Sequence, residues 1–322
     1  MCYKTDKHKQ LRLKLEELTK DYPLFIKGFF SEQKSARSSY NYFGYINDML
    51  TWLIKNNIIN KKSISEITAE DLNDVAPSDI TLYLSQLQTK GNMLDTINTK
   101  KNVCRSFWRY LMCEKHVTEN IISLINKDRF KPEKTDIIVK IPTEEELKEF
   151  LNNIQSNNSG YSCIRNATIV ELLLGSGIRS EELIGLDVQD LYLGENAYIK
   201  IMEKGKIEKQ TEVMITPGAK KWLEKYLTER DKFIEGKEEN ALFLSNRRQR
   251  ISKSALDNIF SSNSNSKIYP HMIRHYVGTM LYRKSHDIIL VQTQLRHEKL
   301  ETAVKYYVQN DEEKLREVLN AL

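Results

Sequence analysis

Residues 270–281 read PHMIRHYVGTML. The proline suits the first turn of a helix, where its missing N–H costs nothing. Val277, Met280 and Leu281 then fall where they can anchor that helix in a core. His271, Arg274 and His275 lie three and four positions apart, one face of a helix. Three chemistries suit the cluster: a pair of metal ligands, a solvated patch, or the cationic floor of an anion site. Two imidazoles need further ligands to hold zinc, and no carboxylate or thiol partner is suggested nearby. Cys2, Cys104, Cys113 and Cys163 are scattered, without metal-ligand spacing, and read as reduced thiols. The choice therefore rests on what other segments bring to the same place.

The chain has 322 residues, 40% hydrophobic and 29% charged, which predicts a globular protein of two domains, each with its own core. No apolar stretch approaches the roughly 20 residues of a membrane helix, and the basic start MCYKTDKHKQLRLKLEEL has no apolar region of signal-peptide type. The expectation is a cytoplasmic protein. Charge is uneven: residues 1–140 carry 23 Lys/Arg against 17 Asp/Glu, and the remainder 26 against 27. A net charge of +5 alone says little, but its concentration in one half favours a phosphate-facing surface there.

That half reads as helical. Phe43, Ile46, Leu50 and Leu53 recur at helical spacing, as do Val103, Phe107 and Leu111. Lys100, Lys101, Arg105 and Arg109 lie on and around the other side of the second helix. They read either as a solvated face or as a helix laid along DNA, replacing phosphate counterions. The stretch NKDRFKPEKTDIIVKIPT breaks the pattern with Pro132 and Pro142, which predicts a linker and domains of 1–135 and 136–322. Thr143 follows as an N-cap, with Glu144, Glu145 and Glu146 in the favoured first turn. Alternation around Glu203–Lys206 predicts a β-hairpin with Gly205 near its turn, and SSNSNSK (261–267) reads as a short polar loop.

The second domain supplies GSGIRSEELIGL, EKGK, HMIRH and LRHEKLETAVKYY, in that order. They bring Arg179, Lys204, His271, Arg274, His297 and the pair Tyr306/Tyr307: cations, donors and a phenol. A carboxylate cage for two-metal phosphoryl transfer is absent, as is a G-x-S-x-G elbow. Two arginines can clamp a phosphodiester's nonbridging oxygens and stabilise the charge of a pentacoordinate transition state. A tyrosine can attack phosphorus and conserve the bond energy as an ester. A lysine can protonate the departing 5′-oxygen, and histidines can move protons or donate hydrogen bonds. No metal or cofactor is needed.

These segments resemble the tyrosine recombinases, or phage-integrase family, with an Xer-like two-domain plan; the likeness is strongest over residues 142–310. The resemblance implies Arg179 as the first catalytic arginine with Glu182 orienting it. It implies His271 and Arg274 as the H-x-x-R pair, with His275 as the following accessory histidine. His297 precedes the nucleophile by nine residues, which selects Tyr306 over Tyr307. The hairpin lysine is Lys204, with Lys206 an alternative. Two departures stand out: Arg296 replaces the glycine common before the last histidine, and the hairpin reads EKGK where glycine-lysine-glycine is usual.

The implied fold is mainly α. A helical, DNA-gripping core-binding domain precedes a mostly α catalytic domain with a small antiparallel sheet, as in DNA breaking-rejoining enzymes. The implied activity is site-specific recombination of double-stranded DNA through a 3′-phosphotyrosyl intermediate and a Holliday junction. A homodimer would occupy each site and a tetramer the synapse; the tail NDEEKLREVLNAL, apolar at Leu315, Val318, Leu319 and Leu322, would pack on its own domain or, as the resemblance implies, dock on a neighbouring protomer. The alternatives are a type IB topoisomerase-like or hairpin-end resolving enzyme, or a catalytically silent DNA-binding protein.

Overall fold

The structure is a computed structural model, describing residues 3–33, 35–126, 128–131, 141–202, 210–234, 239–265, 267–297, 304 and 320. The chain divides into two compact units, Met1–Thr135 and Asp136–Leu322.

The first unit contains helices α1 (Tyr3–Leu18), α2 (Leu24–Ser31), α3 (Ala36–Lys55), α4 (Ala69–Asn73), α5 (Pro77–Thr89) and α6 (Leu94–Cys113). Ile46, Met49, Leu50 and Leu53 of α3 are buried with Val103, Phe107, Trp108 and Leu111 of α6. The 3.6-residue period thus becomes one shared core. Phe29 of α2 meets Phe107 edge-on, with ring centroids 5.2 Å apart. Ser35 starts α3 by accepting a hydrogen bond from the Ser38 N–H at 3.1 Å.

The basic residues of α6 divide in a way their spacing does not suggest. Lys100 and Lys101 are buried, so they do not share the exposed side with Arg109. Lys100 Nζ reaches Asp48 at 3.2 Å and lies over the Tyr45 ring. Lys101 Nζ donates to the Arg129 carbonyl at 2.8 Å, and burial, reinforced by Arg105, lowers its pKa. Long aliphatic stems let both lysines cross the core while their ammonium groups find oxygen. The solvated basic face of α6 is therefore narrower than expected.

In the second unit α7 (Glu144–Asn157) begins at Thr143, as its sequence predicts. The Glu146 N–H donates to Thr143 Oγ1 at 3.2 Å and the Thr143 N–H to Glu146 Oε2 at 2.9 Å, a reciprocal cap. Helix α8 (Gly160–Ser176) buries Ala167, Thr168, Ile169, Val170, Leu172 and Leu173, more than one face, as befits a central helix. It packs against α7, α10 (Pro217–Ile234) and α12 (Pro270–Ser285). Between α8 and α10 come the short α9 (Ser180–Ile184) and strands β1 (Leu191–Tyr192), β2 (Tyr198–Met202) and β3 (Gln210–Met214).

The sheet is antiparallel in the order β1-β2-β3, with β2 and β3 in register from Tyr198↔Met214 to Met202↔Gln210. Ile199, Ile201 and Val213 are buried, which matches the two-residue alternation. The expected hairpin is present. Its tip, with Lys204, Gly205 and Lys206, lies outside the described residues.

One expected loop is helix. Helix α11 (Lys253–Ser264) includes the first four residues of SSNSNSK. Ser262, Asn263 and Ser264 donate side-chain hydrogen bonds to the carbonyls four residues back, at 2.6, 2.7 and 2.8 Å. These polar side chains fold onto the helix instead of competing with it. The helix ends at Asn265, whose φ is 49°. Helix α13 (Ile288–Leu295) follows α12. Val277 and Leu281 pack on its Val291 and Leu295.

Candidate active site

Three of the four sequence motifs lie at or beside helix ends. Helix α8 stops at Gly177, whose φ of 66° is the left-handed geometry glycine accepts without penalty. A Cβ there would lie 2.5 Å from Leu295 Cδ2 and 3.2 Å from Val277 Cγ1. The missing side chain therefore lets α8, α12 and α13 converge. Pro270 opens α12, one turn before Arg274. Arg274 is 3% exposed and its guanidinium donates to the Gly177 carbonyl at 2.5 Å and to the Leu295 carbonyl. Both acceptors sit at helix C-termini, where the backbone dipole favours a cation.

Arg179 is the N-cap of α9, and Glu182 is its third helical residue. The Arg179 N–H donates to Glu182 Oε2 at 2.7 Å, and its Nη1 to Oε1 at 2.9 Å. The carboxylate thus fixes both ends of the arginine it was expected to orient. Arg179 keeps 30% side-chain exposure while Glu182 is buried. A third group joins them: Arg296 Nη2 donates to Glu182 Oε2 at 2.8 Å. Burial raises the Glu182 pKa, but Arg296, the Arg179 N–H and the guanidinium groups of Arg179 and Arg274 outweigh it and hold the carboxyl low.

The histidines complete the floor. The rings of His271 and His275 meet edge-on at 4.5 Å, with His271 exposed and His275 buried. Burial, then His271 and Arg274, push the His275 pKa down to about 4. His297 is pushed down to about 4 by burial, then Arg274, Arg179, His275 and Arg296. Its N–H donates to the Gln292 carbonyl at 3.1 Å, and its carbonyl accepts from Gln292 Nε2 at 3.1 Å. Both rings are neutral at pH 7, so they can donate hydrogen bonds without adding charge to an already cationic site.

The structure thus gathers Arg179, Glu182, Arg274, His275 and His297, with His271 beside them. Lys204 and Tyr306 lie outside the described residues, as does the expected docking tail apart from the exposed Asn320. Lys100, Lys101, Arg105 and Arg109 belong to the first unit and form no part of this cluster. In the sequence Arg296 stands out only as a departure from a common glycine; its hold on Glu182 is not legible there. Gly177 was also missed, although glycine after an apolar helical run is a recognisable stop signal. Among the described residues, no group of three or more His, Cys, Asp or Glu is placed to hold a metal ion. No described helix is long and apolar enough to cross a membrane.

Residues 140–314, more than half of the chain, match the Phage integrase family. The tyrosine recombinase XerS of Streptococcus gordonii is 25% identical over 94% of this chain and 96% of its own length. That of Streptococcus thermophilus is 26% identical, over 96% and 98%. Among solved structures, the XerH site-specific recombinase bound to its difH substrate in a pre-cleavage complex superposes with a TM-score of 0.61. It is 25% identical, over 83% of this chain and 76% of that one.

Two outcomes follow from this geometry. Gly177→Ala forces a Cβ into left-handed backbone and against Leu295, which should cost about 1–3 kcal/mol and displace the carbonyl that holds Arg274. Chemical denaturation will measure the first effect and turnover on the natural substrate the second. The second concerns pH. The folded pKa of His275 and His297 is about 4 against an ordinary 6.5. Across that interval the unfolded chain binds protons that the folded chain refuses. Stability should therefore fall as pH drops from 6.5 towards 4 and lose this dependence below it. A Tm series over that range should be visibly flatter for the His275→Gln, His297→Gln double variant.

Proposed function

The chain belongs to the phage integrase family, and from that premise we propose how this site-specific DNA recombinase works. It is an enzyme of the tyrosine recombinase class. What carries the assignment of roles is one observation: Arg179 and Arg274 act on the buried Glu182 carboxylate where helix ends meet, and His297 lies beside both arginines.

On this reading a phosphodiester of duplex DNA enters above Arg274. Arg179 and Arg274 bind its nonbridging oxygens and stabilise the added charge of the pentacoordinate transition state. His271 and His297 donate further hydrogen bonds, and Glu182 and His275 support the arginines. The Tyr306 oxygen forms the new bond to phosphorus as the P–O5′ bond breaks. The phenolic proton passes to a neutral base of the site, and Lys204 supplies a proton to the departing 5′-oxygen. The 3′-phosphotyrosyl ester is then attacked by the 5′-hydroxyl of a partner strand, which releases the tyrosine. Every step is a transesterification, so neither nucleotide hydrolysis nor metal enters the balance.

The first unit grips the duplex, and a basic concavity supports this. A cavity of about 460 Å³ is lined by Asn98, Lys101, Asn102, Arg105, Ser123 and Lys131, where Arg105 and Lys131 supply cations suited to backbone phosphates. Two protomers occupy each recombination site and four the synapse, where strands exchange in pairs through a Holliday junction. The C-terminal segment docks on a neighbouring protomer, and the enzyme works in the cytoplasm, where its DNA lies.

The test is covalent trapping on a nicked cognate site. Tyr306→Phe should abolish the adduct and leave DNA affinity within about twofold, whereas loss only in Tyr307→Phe would move the nucleophile by one residue. Lys204→Ala should slow cleavage, and a bridging 5′-thio leaving group, which needs no proton, should restore most of the rate. Absence of that rescue would transfer the acid role to Lys206 or a histidine. Relaxation of a two-site plasmid without exchange would reassign the enzyme to topoisomerase-like chemistry.

A further inference from the structure

Arg296 stands where the backbone asks for glycine. It ends α13 with φ 53° and ψ 52°, a left-handed conformation that penalises any residue with a Cβ. Its side chain nevertheless turns inward to 8% exposure and binds Glu182 Oε2 at 2.8 Å. Nη1 folds back on the Gln294 carbonyl at 2.8 Å and steadies the group. The Arg296 carbonyl also accepts a long hydrogen bond from Arg179 Nη2, at 3.4 Å. One residue therefore touches both members of the Arg179–Glu182 pair, from the turn that leads into His297.

A carboxylate that orients a phosphate-binding arginine also competes with the phosphate for it. Paired with Glu182 alone, Arg179 would form a nearly neutral couple at a buried carboxylate, where screening by water is reduced. Arg296 changes the balance. It shares Oε2 with the Arg179 backbone N–H, while Oε1 takes the Arg179 guanidinium. Three guanidinium groups, Arg179, Arg274 and Arg296, then surround one carboxylate; without Arg296 there would be two.

We propose that Arg296 is a positioning residue for DNA cleavage: it draws on the charge of Glu182, leaving Arg179 oriented by that carboxylate yet still cationic enough to grip the scissile phosphate. The proposal rests on Arg179 being a phosphate ligand, as argued above. It also accounts for an arginine at a glycine-like position, because the side chain's electrostatic contribution offsets the backbone strain. The contact with Glu182 is through a single nitrogen, so a lysine can replace it in part, although it lacks the second donor used on Gln294.

The experiment compares wild type with Arg296→Gly, Arg296→Ala and Arg296→Lys on a nicked cognate site. Single-turnover adduct formation, DNA affinity and Tm are measured for each. Glycine relieves the left-handed backbone and alanine does not, so the glycine variant should have the higher Tm of the two. Their cleavage rates should nonetheless fall alike, by at least about tenfold, with DNA affinity changed by less than about threefold. Arg296→Lys should recover part of the lost rate. A purely structural latch gives a different pattern: rates follow Tm, glycine outperforms alanine and lysine gives no rescue. That pattern, or wild-type cleavage by Arg296→Gly, overturns the proposal. If wild type forms no adduct while still binding the site, the reading of the active site itself fails, and this inference with it.

Discussion

The junction of α8, α12 and α13 depends on one buried cation. Arg274 of α12 donates to the carbonyl that closes α8 and to the carbonyl that closes α13. Helix C-termini leave carbonyls without intrahelical partners, and each left unsatisfied in a buried place costs about 1–3 kcal/mol. A guanidinium, planar and always charged, satisfies both. The same bonds that tie three helices together also fix the guanidinium in space. Stability and site geometry are therefore one constraint: the arginine cannot be loosened for function without releasing the helix ends.

That constraint concentrates positive charge, and among the described residues one buried carboxylate meets it. Glu182 is 3% exposed and is reached by Arg179 and Arg296. A buried ion pair is weak evidence of net stability, because desolvation offsets the attraction. Here the excess of cations over anions is more informative than the pairing. A core built for stability alone would match its charges. Among the described residues, three guanidinium groups lie around one buried carboxylate here, and His275 and His297 stay uncharged at neutral pH.

Much of this was legible in the sequence because it is local. Thr143 and its three glutamates announce a helix start; the alternation around Glu203–Lys206 announces a hairpin; H-x-x-R on a helix places His271 and Arg274 on one side. What escaped is tertiary. Nothing in α6 distinguishes Lys101, which finds the Arg129 carbonyl, from Arg109, which stays exposed. The serines and asparagines of 261–264 have loop composition, yet here they bond back to their own helix. The two-residue β1 is too short for any periodicity to reveal. Arg296 could be noticed as a departure, but its bond to a residue 114 positions away belongs to the fold.

Why the motifs are short and widely separated now has a physical answer. GSG ends α8, Arg179 caps α9, Pro270 opens α12 and Arg296 ends α13. Helix ends are where backbone groups lack regular partners and where a side chain can meet a carbonyl or N–H from elsewhere. Between those ends, residues need only fill a helical core, and many apolar sequences do that equally well. At the ends the demands are specific: a glycine where φ is positive and no Cβ fits, an arginine that can span two carbonyls, a carboxylate three residues past the N-cap it orients. Among the described residues, the segments that carry the candidate site are thus largely those where helices begin and end.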